Sequence, residues 1–252
     1  MDIKKISSIL LVSILAVIVT FSYISAVYAQ ERDVDGTPLP PHVKYKVFVH
    51  YPNEGKRPAS QPPSCTSTTN DRVTDYGKTG WSLTGPEVYS LNEKTVPASI
   101  GKNNVYTAVN TAWVTWNTAN SAIQISQGAP VSQTRAKFDH VNLLAWGNVS
   151  GNAIAVTYTW YNGVTGVQLE SDTIFSNRLA WSYTPYTSDC GGKAGTYDLG
   201  NIATHEFGHW IGLDDLYNIS QKDLTMYGYG FIAELKKDTL GLGDKMGAAA
   251  LY

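Results

Sequence analysis

His205, Glu206 and His209 stand in the run THEFGHWIGLDDLY, which carries the pattern H-E-x-x-H-x-x-G-x-x-D. On a helix, residues four apart project from one face, one turn apart. Two imidazole nitrogens at that spacing can meet one zinc ion. Glu206, offset by one residue, then sits beside the metal, where it can take a proton from water. Gly212 falls three residues past His209. Glycine reaches left-handed backbone angles without penalty, so it can end the helix and turn the chain sharply. Asp215 lies beyond that turn, ten positions after His205. Its carboxylate can be a third ligand, leaving a fourth position open as a catalytic site requires. Asp214 is the adjacent competitor, and the ten-residue spacing favours Asp215.

These residues need a helix, and the sequence predicts one over about Tyr197 to Leu213. Thr196 is its expected N-cap, and Asp198 suits the positive helix start. Leu199, Ile202, Ala203, Phe207 and Trp210 form its apolar side. Upstream, Glu87 to Asn92, Ile123 to Ser126, Val141 to Trp146, Ala153 to Tyr161 and Val167 to Phe175 read as strands. Asn162-Gly163 signals a turn between the last two. Val105 to Asn120 has helical length, with Val105, Ala108, Ala112, Val114 and Trp116 as its apolar positions. A final helix is expected over Leu242 to Leu251. The fold class expected is α+β.

The motif from His205 to Gly212, with a ligand at Asp215 and a methionine in Leu224-Thr225-Met226-Tyr227, resembles the metzincin metallopeptidases. The flavour is matrixin-like, and an aspartate as third ligand is similar to the snapalysin branch. Glu170-Ser171-Asp172 with Trp181 looks like the region that precedes the active-site helix in matrixins. The resemblance spans roughly 81 to 252 and is specific from His205 to Met226. It implies a twisted mixed sheet, catalytic Zn²⁺ on His205, His209 and Asp215, and a Met-turn placing Met226 beneath the metal. It also implies peptide-bond hydrolysis assisted by Glu206, with a peptide or protein substrate pairing along Ala153 to Tyr161 as an edge strand. Aspartate in place of histidine should make the metal a weaker Lewis acid. Gly228 stands where astacin-like members have a tyrosine, so no tyrosine ligand is carried over. Family members often hold extra Ca²⁺ or Zn²⁺, for which Asp139 and His140 are the candidates. Two alternatives stand beside this reading: a binding or surface protein on a degenerate peptidase domain, and a gluzincin-type site using Glu234.

The remaining sequence sets compartment and partners. Lys4 and Lys5 precede an apolar run from Ile9 to Val19, and Val27 and Ala29 suit cleavage before Gln30. This is the layout of a secretory signal peptide over 1–29. Residues 30–80 read as an extension or propeptide, and 81–252 as the catalytic domain. Within the extension, Val43 to Pro52 alternates as a strand, and His42 and His50 read as ordinary strand or surface histidines. Cys65 and Cys190 suit one disulfide in a secreted, extracellular protein. A matrixin-like latency switch through Cys65 is the alternative, but PPSCTS lacks the flanking arginine and glycine. The net charge of −2 argues against a nucleic-acid footprint. No membrane association is expected after leader removal, and a monomer is expected. Asn148 and Asn218 begin glycosylation sequons.

Overall fold

The computed structural model describes residues 30–53, 69–185 and 191–252. The expected leader over 1–29, Cys65 and Cys190 lie outside the described residues. Among the described residues no helix is long and apolar enough to cross a membrane.

The architecture is mixed α/β, compatible with the expected class. The strands are β1 (Val43–Pro52), β2 (Gly77–Lys78), β3 (Glu87–Leu91), β4 (Ile125–Gln127), β5 (Asn142–Gly147) and β6 (Ala155–Asn162). They continue with β7 (Gln168–Ser176), β8 (Trp181–Ser182), β9 (Tyr197–Asp198), β10 (Leu213–Asp214) and β11 (Tyr229–Gly230). The helices are α1 (Lys102–Ala119), α2 (Leu199–Trp210) and α3 (Leu242–Leu251). Seven strands form one mixed sheet in the order β11-β1-β6-β7-β5-β3-β4. Strands β4, β3, β5 and β7 run parallel to one another, while β6 is antiparallel to both β7 and β1. The expected edge strand is therefore an inner strand here. β1 covers its free side, pairing from Val43 opposite Asn162 to His50 opposite Ala155.

Helix α1 buries Val105, Ala108, Val109, Ala112, Trp113 and Trp116, an i, i+3, i+4, i+7 stripe. Val114, expected on that stripe, is exposed instead. Its position lies about 100° around the helix from Trp113, away from the core face. The stripe packs on α2. The Trp113 ring stacks on Phe207 at 3.6 Å, and Trp116 Nε1 donates to the Thr204 carbonyl at 2.8 Å. Every residue of α2 is buried. A helix buried all round must find a partner for each polar side chain it carries.

The N-cap of α2 is Asp198 rather than Thr196. Asp198 Oδ1 accepts from the Asn201 amide at 3.3 Å, and Oδ2 accepts from the Thr184 amide at 2.7 Å. Thr196 turns instead to Ser182, hydroxyl to hydroxyl at 2.7 Å. Burial pushes the Asp198 carboxyl up to about 6, against the pull of these amides. The folded chain thus holds this proton more tightly than the unfolded chain does. The stabilisation is full below about pH 4 and is lost as the pH rises through about 6. Asp198→Asn should therefore gain stability relative to the wild type across that interval. Urea midpoints in chelator, at several pH values, check this, and a difference that does not change with pH contradicts it.

Gly212 ends the helix as its position predicts, with φ at +104°. A Cβ there would lie 2.1 Å from the Trp81 carbonyl oxygen, which is backbone and cannot swing aside. Gly212→Ala should destabilise the fold by at least ~1–3 kcal/mol, from backbone strain alone. A urea midpoint unchanged in that variant would contradict the close approach.

Candidate metal centre

Helix α2 carries His205 and His209 on one face, and the turn after Gly212 returns Asp215 to meet them. Asp215 Oδ1 lies 3.2 Å from His205 Nε2 and 3.5 Å from His209 Nε2. The three side chains form one of two groups suited to a metal ion among the described residues. Asp214 points elsewhere, onto Lys46 Nζ at 2.8 Å. Asp215 keeps its second oxygen for the Tyr217 hydroxyl, at 3.0 Å.

The outer ring nitrogens are held by backbone. His205 Nδ1 faces the Thr225 carbonyl at 2.7 Å, and His209 Nδ1 faces the Leu213 carbonyl at 2.9 Å. A carbonyl only accepts, so each Nδ1 carries a hydrogen, and in the neutral ring Nε2 presents its lone pair. His205 Nε2 and Asp215 Oδ1 are buried with no hydrogen-bond partner. Two buried acceptors facing each other without a hydrogen between them are costly. A cation placed between them would satisfy both, so the donor set fits a divalent metal ion.

Electrostatics differ across the site. Burial, with Lys237 adding to it, lowers His205 to about 4. Burial also opposes charge on His209, but Asp215 outweighs it and the ring is raised. Burial would raise Asp215, yet His209 and His205 hold it well below the usual carboxylate range.

Met226 is buried beneath the helix, its Sδ 2.1 Å from where a Gly208 Cβ would stand. The absence of a side chain at Gly208 is what lets the methionine approach. Asp244 fixes this turn. Its Oδ2 accepts from the Thr225 and Gly241 amides, each at 2.8 Å, and its Oδ1 from the Met226 amide at 3.1 Å. The chain from α3 through Asp244 and Thr225 thereby orients the His205 ring.

Glu206 is fully buried, and burial pushes its carboxyl up to about 7. Thr157 Oγ1 donates to Oε2 at 2.6 Å. Thr173 stands 2.6 Å behind Thr157, with Trp210 Nε1 donating to it at 3.0 Å. Thr157 has one hydrogen and gives it to Glu206, so Thr173 donates to Thr157. The series from indole to hydroxyl to hydroxyl ends on the carboxylate.

The sequence did not point to Thr157, Lys237 or Asp244, and His50 was expected to be an ordinary histidine. His50 is fully buried, with Nδ1 3.2 Å from Glu206 Oε1 and its ring 3.9 Å from that of His205. With His205 and Glu206 it forms the second metal-suited group. Its Nε2 faces the buried Lys237 Nζ at 3.2 Å. The same ammonium donates to the carbonyls of Tyr227 and Tyr229. Lysine only donates, so His50 Nε2 accepts and Nδ1 carries the hydrogen toward Glu206. Burial, with the neighbouring His205 and Lys237 adding to it, holds His50 well below the usual imidazole range.

Glu234 is buried near Asn201 and the Phe231 amide and joins neither metal-suited group. Asp139 and His140 also stand outside both groups. Their amides donate to the Glu170 carboxylate, and Asp172 accepts from the Lys137 and Leu143 amides. The acidic pair of β7 thus holds the loop before β5.

Comparison with protein-family models finds no match for this chain, and comparison with curated proteins finds none.

Proposed function

We propose that the chain is a secreted zinc-dependent endopeptidase with a metzincin-like catalytic domain. His205, His209 and Asp215 hold the zinc, and Glu206 is the general base. The observation that carries the reading is the facing pair of buried atoms His205 Nε2 and Asp215 Oδ1, 3.2 Å apart and each without a hydrogen-bond partner. A zinc ion bound there supplies Lewis acidity, which polarises a carbonyl and brings a water's pKa down to about 7.

The chain's own residues do the rest. Thr157 anchors Glu206 Oε2, which leaves Oε1 as the atom that takes a proton from the attacking water. A carboxyl pushed up to about 7 can accept that proton and return it to the leaving amine near neutral pH. Carbonyls of Thr225 and Leu213 keep both imidazoles in one tautomer and orientation. An extended peptide would pair with β6, which passes over α2 and carries Thr157.

Hydrolysis of a mixed peptide library by the purified chain, with and without chelator, tests the proposal. Cleavage that stops with chelator and returns with zinc is expected. Cleavage indifferent to chelator, or none in a zinc-loaded chain with β1 displaced from β6, removes it.

A further inference from the structure

We propose that β1, Val43–Pro52, is an internal occupant of the substrate-strand slot, and that the chain as folded is a latent form. The inference rests on the peptidase reading above and adds a regulatory element to the same site.

Three observations carry it. First, β1 lies between β6 and β11, antiparallel to one and parallel to the other. The Ile154 amide donates to the His50 carbonyl at 2.7 Å, and the Asn53 amide donates to the Gly230 carbonyl at 3.0 Å. Without β1, two backbone edges would face each other above α2, the arrangement that receives an extended peptide. β11 follows directly on the turn that holds Met226, so the slot borders the candidate metal centre.

Second, β1 turns its inward side chains onto the site. Phe48 stacks on the His209 ring at 3.8 Å, with planes 8° apart. His50 lies on His205, and Lys46 closes the far end through Asp214 at 2.8 Å. Beneath β1, with β6 and the Met226 turn also packed on them, His205, Glu206 and His209 are essentially inaccessible, at 0%, 0% and 1% exposure.

Third, His50 engages the atom the chemistry needs. Thr157 holds one oxygen of Glu206 and His50 holds the other, while Lys237 fixes the His50 ring from behind. Water and a scissile carbonyl can reach Glu206 only after β1 moves out. The fraction of molecules with β1 displaced then scales the observed rate.

The test uses the full zinc-treated chain. Val47→Pro fixes φ near −65° in the middle of β1, away from extended strand geometry, and its ring crowds the Lys46 backbone, which faces β6. It should raise peptide hydrolysis at least ~10-fold over the wild type, by raising the displaced fraction. A labelled synthetic peptide of sequence VKYKVFVHYP should bind that variant and not the wild type, and in excess it should return the rate to the wild-type level. Lys46→Glu, on a part-exposed side chain, removes the Asp214 ion pair with little risk to folding. It should move both readouts the same way, and it decides the matter if Val47→Pro does not fold. Equal rates in all folded variants, with no peptide binding, overturn the latency and leave the peptidase reading standing. Peptide binding without hydrolysis upholds the slot and removes the peptidase reading.

Discussion

Glu206→Ala is expected to keep zinc and lose at least ~10²-fold in hydrolysis rate, the contribution typical of a positioned general base. Glu206 is not among the three residues assigned to the metal, so its removal leaves the donor set intact. Its loss does leave the Thr157 hydroxyl and the His50 N–H without their acceptor. Each unpaired group costs about 1–3 kcal/mol, so some loss of stability accompanies the loss of rate. Glu206→Gln separates the two effects. The amide keeps the shape and one oxygen acceptor but cannot take a proton. Both variants should be compared with their parents in the wild-type and the Val47→Pro backgrounds. Near-parental rates in either substitution would take Glu206 out of the mechanism.

His209→Ala is expected to weaken zinc binding by at least ~100-fold. Disturbing only the partner behind a metal ligand already costs ~10–100-fold, and this change removes the ligand itself. It also frees the Leu213 carbonyl from its 2.9 Å contact and removes the ring on which Phe48 stacks. The turn at Gly212 should loosen, and the metal-free variant should melt below the metal-free wild type. Competition against a chromophoric chelator measures the first effect, and thermal melting in chelator the second. Wild-type zinc affinity in this variant would contradict the assigned ligand set.

The part of the site built from local sequence was legible in advance. His205, Glu206 and His209 are related by helical geometry, and Gly212 and Asp215 by one turn. Their mutual placement follows from bonded neighbours, and spacing encodes it. β1 was legible as a strand over its whole range, because its alternation is local. Its place in the sheet was not. The bond from His50 to Glu206 spans 156 positions, and that from Lys237 to His50 spans 187. No periodicity announces a pairing between such distant segments. Lys237 sits in Lys236-Lys237-Asp238, which reads as a solvated charge run yet is buried. The one local sign was in β1 itself. Lys46, Phe48 and His50 share a face there, and a polar residue on each side of a buried aromatic is unlike an ordinary core strand. The N-cap of α2 was misplaced by two residues because both Thr196 and Asp198 can cap. Asp198 prevails because its two oxygens serve two separate amides, whereas Thr196 has a hydroxyl partner in Ser182.

Elemental analysis of the purified full chain, with Asp215→Ala beside it, tests the metal centre most directly. The wild type should carry a single zinc ion per chain, and Asp215→Ala, which removes the oxygen facing both imidazoles, should carry little or none. A wild type that leaves zinc-containing buffer without the metal, or equal zinc in both chains, would contradict the account at its base.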